Sequence, residues 1–186
     1  TDALDARLDL ALGDEHRRVD AEAWDDIYVV GDVHGCLREL NCLLDRLDPA
    51  DDDLVVFVGD LVRKGPDSAG VIELVRSRPN FVSVRGNNEE KLLRGEKSLD
   101  SLDDEDLAWI ANLPVALHWD GALVVHAGVD PRKPLIQHTV DDFENVRELG
   151  GGDYEPPFWY DAYEGDHRVF FGHTPLDAPV VRERAV

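Results

Sequence analysis

The sequence predicts an α/β fold, and three observations point to it. Short apolar runs at Ile27 to Val30, Leu54 to Val58 and Phe81 to Val84 alternate with amphipathic patterns near 36–47, 67–77 and 88–94. That alternation is the logic of βαβ units. Each run also ends in a small residue followed within a few positions by Asp, His or Asn, as do Leu123 to Val125 and Val169 to Phe171. Strands that end this way deliver polar side chains to the carboxyl edge of a sheet. A chain of 186 residues is long enough for a single domain with a real core.

The remaining elements follow in order. Residues 1–26 form an acidic N-terminal extension whose Leu4, Leu8 and Leu12, spaced by four, predict a helix packed on the outside of a domain spanning 27–186. Asp103 to Asn112 reads as another helix, capped by Ser101 or Asp103. Segments near 115–119 and 122–126, joined around Asp120-Gly121, predict a hairpin. Gly150-Gly151-Gly152 marks a flexible loop. After it, Tyr154, Phe158, Trp159, Tyr160 and Tyr163 concentrate aromatic surface. They read either as a stacking wall beside a site or as anchors that hold a long loop to the core.

Composition narrows the partners. The net charge is −21, and the cations are four Lys against fifteen Arg. Acid spread along the whole chain with so few Lys reads as salt adaptation, because high salt screens the mutual repulsion. A halophilic, archaeal source is the expectation. The same field disfavours nucleic acid and anionic membranes. No apolar stretch approaches the ~20 residues that span a bilayer and no signal peptide is visible, so a cytoplasmic protein is expected. Cys36 and Cys42 match neither a zinc knuckle nor a redox pair, and read as buried small hydrophobes.

Five motifs carry the chemistry: Gly31-Asp32-Val33-His34-Gly35, Gly59-Asp60-Leu61-Val62-Arg63-Lys64-Gly65, Arg85-Gly86-Asn87-Asn88-Glu89, His126-Ala127-Gly128 and Gly172-His173-Thr174. Any one alone reads as a turn, with Gly supplying an unusual φ and the polar residue bonding the backbone. Jointly they differ from turns, since all five share one position relative to a strand and all offer a metal-competent side chain. Mixed carboxylate, imidazole and amide-oxygen donors suit Mn²⁺, with Fe or Zn²⁺ as alternatives.

In order and spacing, over about residues 27 to 175, these motifs resemble the calcineurin-like metallophosphoesterases of the phosphoprotein phosphatase family. The resemblance is to the bacterial and archaeal branch, which includes protein phosphatases and diadenosine-tetraphosphate hydrolases. It implies a two-sheet β-sandwich flanked by helices, with two divalent ions at the strand ends. Asp32, His34 and a bridging Asp60 would hold the first ion; Asp60, Asn87, His126 and His173 would hold the second. Two such ions can clamp a phosphate and acidify a bridging water to a hydroxide nucleophile. The implied substrate is a phosphomonoester, with Ser/Thr phosphoprotein as the family default.

The chain departs from the family at two positions that act together. Asn88 stands where the family has a His that protonates the leaving oxygen, and Arg63 stands where it has the Asp that orients that His. General-acid help of this kind contributes ~10²–10⁴-fold. Asn88 has no titratable proton, so attenuated activity is expected. Two alternatives stay open: hydrolysis of dinucleoside polyphosphates, whose leaving group needs less protonation, and a metal- and phosphate-binding regulatory homologue. Lys64 keeps a cation where the family has a phosphate-binding Arg but loses the bidentate fork. Arg147 resembles a second phosphate-binding Arg. The family chain continues past Gly-His-Thr-Pro into further strands, whereas this one stops eleven residues after Pro175. Either the chain is truncated, which would leave an unpaired edge strand, or the core is closed another way, for example by a partner subunit.

Overall fold

The computed structural model describes residues 3–150 and 156–186, so Tyr154 and most of the triple-glycine segment lie outside the described residues. In chain order the elements are α1 (Ala3–Leu12), β1 (His16–Arg18), β2 (Ile27–Val30), α2 (Leu37–Leu47), β3 (Leu54–Phe57), α3 (Ser68–Arg76), β4 (Phe81–Ser83), α4 (Asn87–Leu93) and α5 (Asp104–Ala111). Then follow β5 (Ala116–Trp119), β6 (Ala122–Val125), α6 (Val140–Asn145), α7 (Trp159–Ala162) and β7 (Arg168–Phe170). The fold is mixed α/β with two sheets, each accompanied by helices, and it resolves into two compact units.

One unit spans Asp20–Leu113. Its sheet has the order β2-β3-β4 and is parallel throughout, with Ile27 opposite Leu54 and Val55 opposite Phe81. Leu54, Val55, Val56, Phe57 and Val58 are all buried, as a central strand covered on both faces requires. Leu40 and Leu44 of α2 and Val71, Ile72 and Val75 of α3 supply the covering apolar stripes. Helix starts follow local chemistry. The Asp67 side chain accepts the Gly70 amide at 2.8 Å to cap α3, and Asp103 accepts those of Glu105 and Asp106 at 2.9 Å to cap α5.

The other unit comprises Thr1–Val19 and Pro114–Val186. Its sheet runs β1-β5-β6-β7; the expected hairpin is β5 and β6, and β7 lies parallel to β6. Two sequence expectations are corrected here. Leu4 and Leu8 do not lie on the outside: they are 1% and 0% exposed, in one core with Leu123, Phe143 and Trp159. The edge of β7 is not open either. Val169 donates to Arg184 O and Phe171 to Val186 O, each at 2.9 Å, while Ala185 is buried against the strand. In the sheet-forming unit first described, Cys42 is exposed and Cys36 half-buried, so neither is a core residue.

Candidate metal centre

Parallel pairing of β2, β3 and β4 sends three chain exits to one sheet edge, and the first three motifs occupy them. The exits are bonded into one another. The amides of Val33 and His34 both donate to Asp60 O, at 3.2 and 2.7 Å, and that of Gly65 returns to His34 O at 2.6 Å. Such close loops need unusual backbone. His34, Asp60, Arg63 and Lys64 have φ of 52°, 51°, 69° and 65°. Left-handed non-glycine residues cost ~1–3 kcal/mol each and persist where the surroundings over-determine them, often at functional sites. Gly59 is required by space as well as by its φ of +87°, since a Cβ there would lie 2.6 Å from Gly86 N.

The strain brings three ligand atoms together. His34 Nε2 lies 3.5 Å from Asp32 Oδ2 and 3.6 Å from Asp60 Oδ2, and one donor atom from each residue falls within 4.8 Å of the others. Exposure of these side chains is 20% for Asp32, 18% for His34 and 3% for Asp60, so the group is partly open to solvent. His34 Nδ1 faces Val62 O at 3.4 Å, and the Lys64 ammonium donates to Nε2 at 2.9 Å. The second ring nitrogen of His34 is thus turned to a backbone carbonyl, as in many metal sites. Two carboxylates and an imidazole so disposed fit a divalent cation. In this geometry the Asp32 carboxylate raises the His34 pKa most, with burial and the Lys64 charge opposing it.

Around the cluster, Glu89 fastens the exits. Wholly buried, it accepts the amides of Asp60 and Gly86 at 2.8 Å through Oε2 and that of Val62 at 3.1 Å through Oε1. Burial, then the Asp60 charge, push its pKa up, while the three amides pull it down. Beside it, the Asn88 amide bridges. Its Nδ2 donates to Asp60 Oδ2, and to Asn87 Oδ1 at 3.0 Å, while its Oδ1 accepts from Arg63 Nη1. Glu89 was visible in the sequence as part of a motif, but nothing there showed that one carboxylate ties two strand exits together. Arg85 is buried and paired with Glu90 at 3.1 Å.

In the other unit, parallel β6 and β7 bring the last two motifs to one end of their sheet. His173 Nδ1 and His126 Nε2 are 3.0 Å apart, both rings are buried, and Gly172 donates to His126 O at 2.8 Å. His173 again has a left-handed φ, 64°. Arg147 Nη2 donates to the backbone carbonyl of His173 at 3.3 Å. Within the aromatic segment Trp159 is an anchor. Trp159 is 0% exposed, donates Nε1 to Ala127 O at 3.0 Å, and packs edge-on to Phe171 at 4.7 Å. It also fills the space a Cβ on Gly128 would need.

Of the residues singled out from sequence, Asp32, His34, Asp60, Arg63, Lys64, Asn87 and Asn88 thus gather in one unit. His126, His173 and Arg147 gather in the other.

A fold and site of this kind define a metallophosphoesterase, and comparison with known proteins agrees. The family model for calcineurin-like phosphoesterases matches residues 26–185, and the chain belongs to that family. A symmetrical bis(5'-nucleosyl)-tetraphosphatase of Janthinobacterium sp. (strain Marseille) is 33% identical, with 76% of this chain and 61% of that protein covered. Serine/threonine-protein phosphatase 1 of Salmonella typhimurium is 42% identical over 52% of this chain and 43% of its own. The chain thus spans about three fifths or less of the curated relatives it matches. Among solved structures, a protein provisionally assigned as a diadenosine tetraphosphatase superposes with a TM-score of 0.75 at 29% identity, covering 85% of this chain and 78% of that one. Among the described residues no helix is long and apolar enough to cross a membrane.

Proposed function

We propose that this chain hydrolyses a phosphorus–oxygen bond of a phosphorylated substrate with the help of two divalent ions, Mn²⁺ first among the candidates. Asp32, His34 and Asp60 hold one ion; Asp60, Asn87, His126 and His173 hold the other. When bound, such ions supply positive charge for the phosphoryl oxygens and acidify a water. The chain's own residues do the rest. Asn88 fixes Asp60 and Asn87, and Lys64 and Arg147 meet phosphate charge as cations. The observation that carries this reading is the convergence of Asp32, His34 and Asp60 donor atoms within 4.8 Å at one sheet edge.

Phosphomonoesters, including Ser/Thr phosphoproteins, are the family's default substrate. Dinucleoside polyphosphates are the second reading, and two observations favour it. Several relatives are named tetraphosphatases. Asn88 also offers no acidic proton, which an alkoxide leaving group needs and a nucleotide phosphate does not. The test is hydrolysis of an aryl phosphate with Mn²⁺, with Asp60→Asn as control. Turnover lost in Asp60→Asn supports the reading. Absence of turnover in folded, Mn²⁺-loaded protein would assign the chain to the binding, non-catalytic alternative.

A further inference from the structure

Where a proton donor would be needed, this chain has a hydrogen-bonded chain of fixed polarity: Arg63 Nη1 to Asn88 Oδ1, and Asn88 Nδ2 to Asp60 Oδ2 and Asn87 Oδ1. The order cannot be reversed. A guanidinium only donates, so the Asn88 oxygen must face Arg63 and its amino group must face the carboxylate. Both amino hydrogens of Asn88 are then taken, by Asp60 and Asn87, while its oxygen accepts from Arg63. Asn88 is also 4% exposed. That amide has no N–H left to donate to a substrate.

Arg63 is in the opposite situation. Its guanidinium is half-buried and engages Asn88 through Nη1 alone, while its backbone is pinned by the Ser68 hydroxyl at 2.9 Å in a left-handed conformation. The remaining N–H donors are therefore uncommitted among the described residues, one amide group away from the Asp60 carboxylate. Arg63 cannot give up a proton near neutral pH, but it can hold a negative charge in place.

We propose that Arg63, positioned by Asn88, is an anion-binding residue that selects polyphosphate substrates whose leaving group departs as a phosphate oxyanion. The assignment rests on the phosphoesterase reading above. In the step it serves, a water oxygen bonds to phosphorus and the bridging P–O bond breaks. The electron pair stays on the departing phosphate oxygen, and the water's proton passes to solvent. The guanidinium meets the charge on that oxygen, and no protonation of the leaving group is required. Arg63 thereby selects by charge what a general acid would have admitted by proton transfer.

The test combines turnover with equilibrium binding. Wild type, Arg63→Gln and Arg63→Lys are compared on diadenosine tetraphosphate and on aryl phosphates of rising phenol pKa. A non-hydrolysable methylene-bridged polyphosphate is titrated calorimetrically into each protein. Mn²⁺ titration confirms that the ligands are intact in the variants. The expected results are a steep loss of rate with phenol basicity and a ~10²-fold fall in kcat/KM for diadenosine tetraphosphate in Arg63→Gln, as when one oxyanion donor is removed. Polyphosphate binding weakens in the same variant, with partial recovery in Arg63→Lys. A rate indifferent to phenol basicity, or unchanged rate and binding in Arg63→Gln, overturns the assignment. If no substrate turns over, the phosphoesterase reading fails, and the polyphosphate titration alone then decides whether Arg63 binds the anion.

Discussion

Glu89 accepts the Asp60 amide at 2.8 Å across 29 residues of sequence, and with the same oxygen it accepts Gly86. One buried carboxylate therefore locks the exits of β3 and β4 to each other. Replacing it with Gln puts an amino group against at least one backbone N–H and leaves that donor without an acceptor. Glu89→Gln should lose ~1–3 kcal/mol of stability, the cost of an unsatisfied buried donor. It should also bind Mn²⁺ ~10–100-fold more weakly, as other supports of metal ligands do. Urea unfolding and a Mn²⁺ isotherm check the two parts separately. Wild-type values in both would show that the two exits hold themselves together.

The contact between Arg63 and Asn88 shapes what restoring a general acid would take. Asn88→His alone sets an imidazole against a guanidinium, which disfavours its protonated form. The single variant should gain little on alkyl phosphomonoesters. Arg63→Asp with Asn88→His supplies both the acid and its orienting carboxylate and should gain ~10²-fold or more, within the range of general-acid catalysis. Steady-state rates on an alkyl phosphate decide it, and a single variant that matched the double would remove Arg63 from the account.

A second histidine gives a pH signature in the other unit. His138 is 3% exposed, its Nδ1 donates to Pro134 O at 3.1 Å, and its Nε2 accepts the Asp130 amide at 2.9 Å. Burial lowers its pKa most; Pro134, Asp142 and Asp130 pull upward and Lys133 downward. Between the folded value and the unfolded 6.5, the unfolded chain binds more protons. The contribution is thus present above 6.5 and is lost as pH falls below it. Urea midpoints should decline below that pH in wild type and decline less in His138→Gln. Parallel profiles would contradict the neutral, doubly bonded ring.

A net charge of −21 predicts a salt response. Raising KCl toward molar concentrations shortens the screening length to ~3 Å and relieves repulsion in the compact state. The thermal midpoint should rise steeply with KCl and with NaCl alike. A flat or falling midpoint would count against salt adaptation.

How much of this was legible in the sequence follows from where each feature gets its energy. β2, β3 and β4 were readable because buried parallel strands are continuous apolar runs, and the residues after them stand out as polar. β1 was not readable: His16-Arg17-Arg18 has no apolar pattern and becomes a strand only by pairing with β5. The burial of Leu4 and Leu8, the return of Ala185 along β7 and the anchoring of Trp159 on Gly128 are equally long-range. At the site, the ligand types and their order were visible. The clamp by Glu89 and the direct bond between the two departing residues, Arg63 and Asn88, were not, because both depend on loops that meet only after the strands have paired.

The central claim is that Asp32, His34 and Asp60 form half of a two-ion site, and metal stoichiometry tests it most directly. Mn²⁺ bound per chain should be two in wild type, and His34→Ala should lose one ion. Asp60→Asn, which alters the ligand proposed to bridge the two, should retain neither tightly. Wild-type protein that binds no Mn²⁺, Fe or Zn²⁺, or an Asp60→Asn variant that still binds two ions, would contradict it.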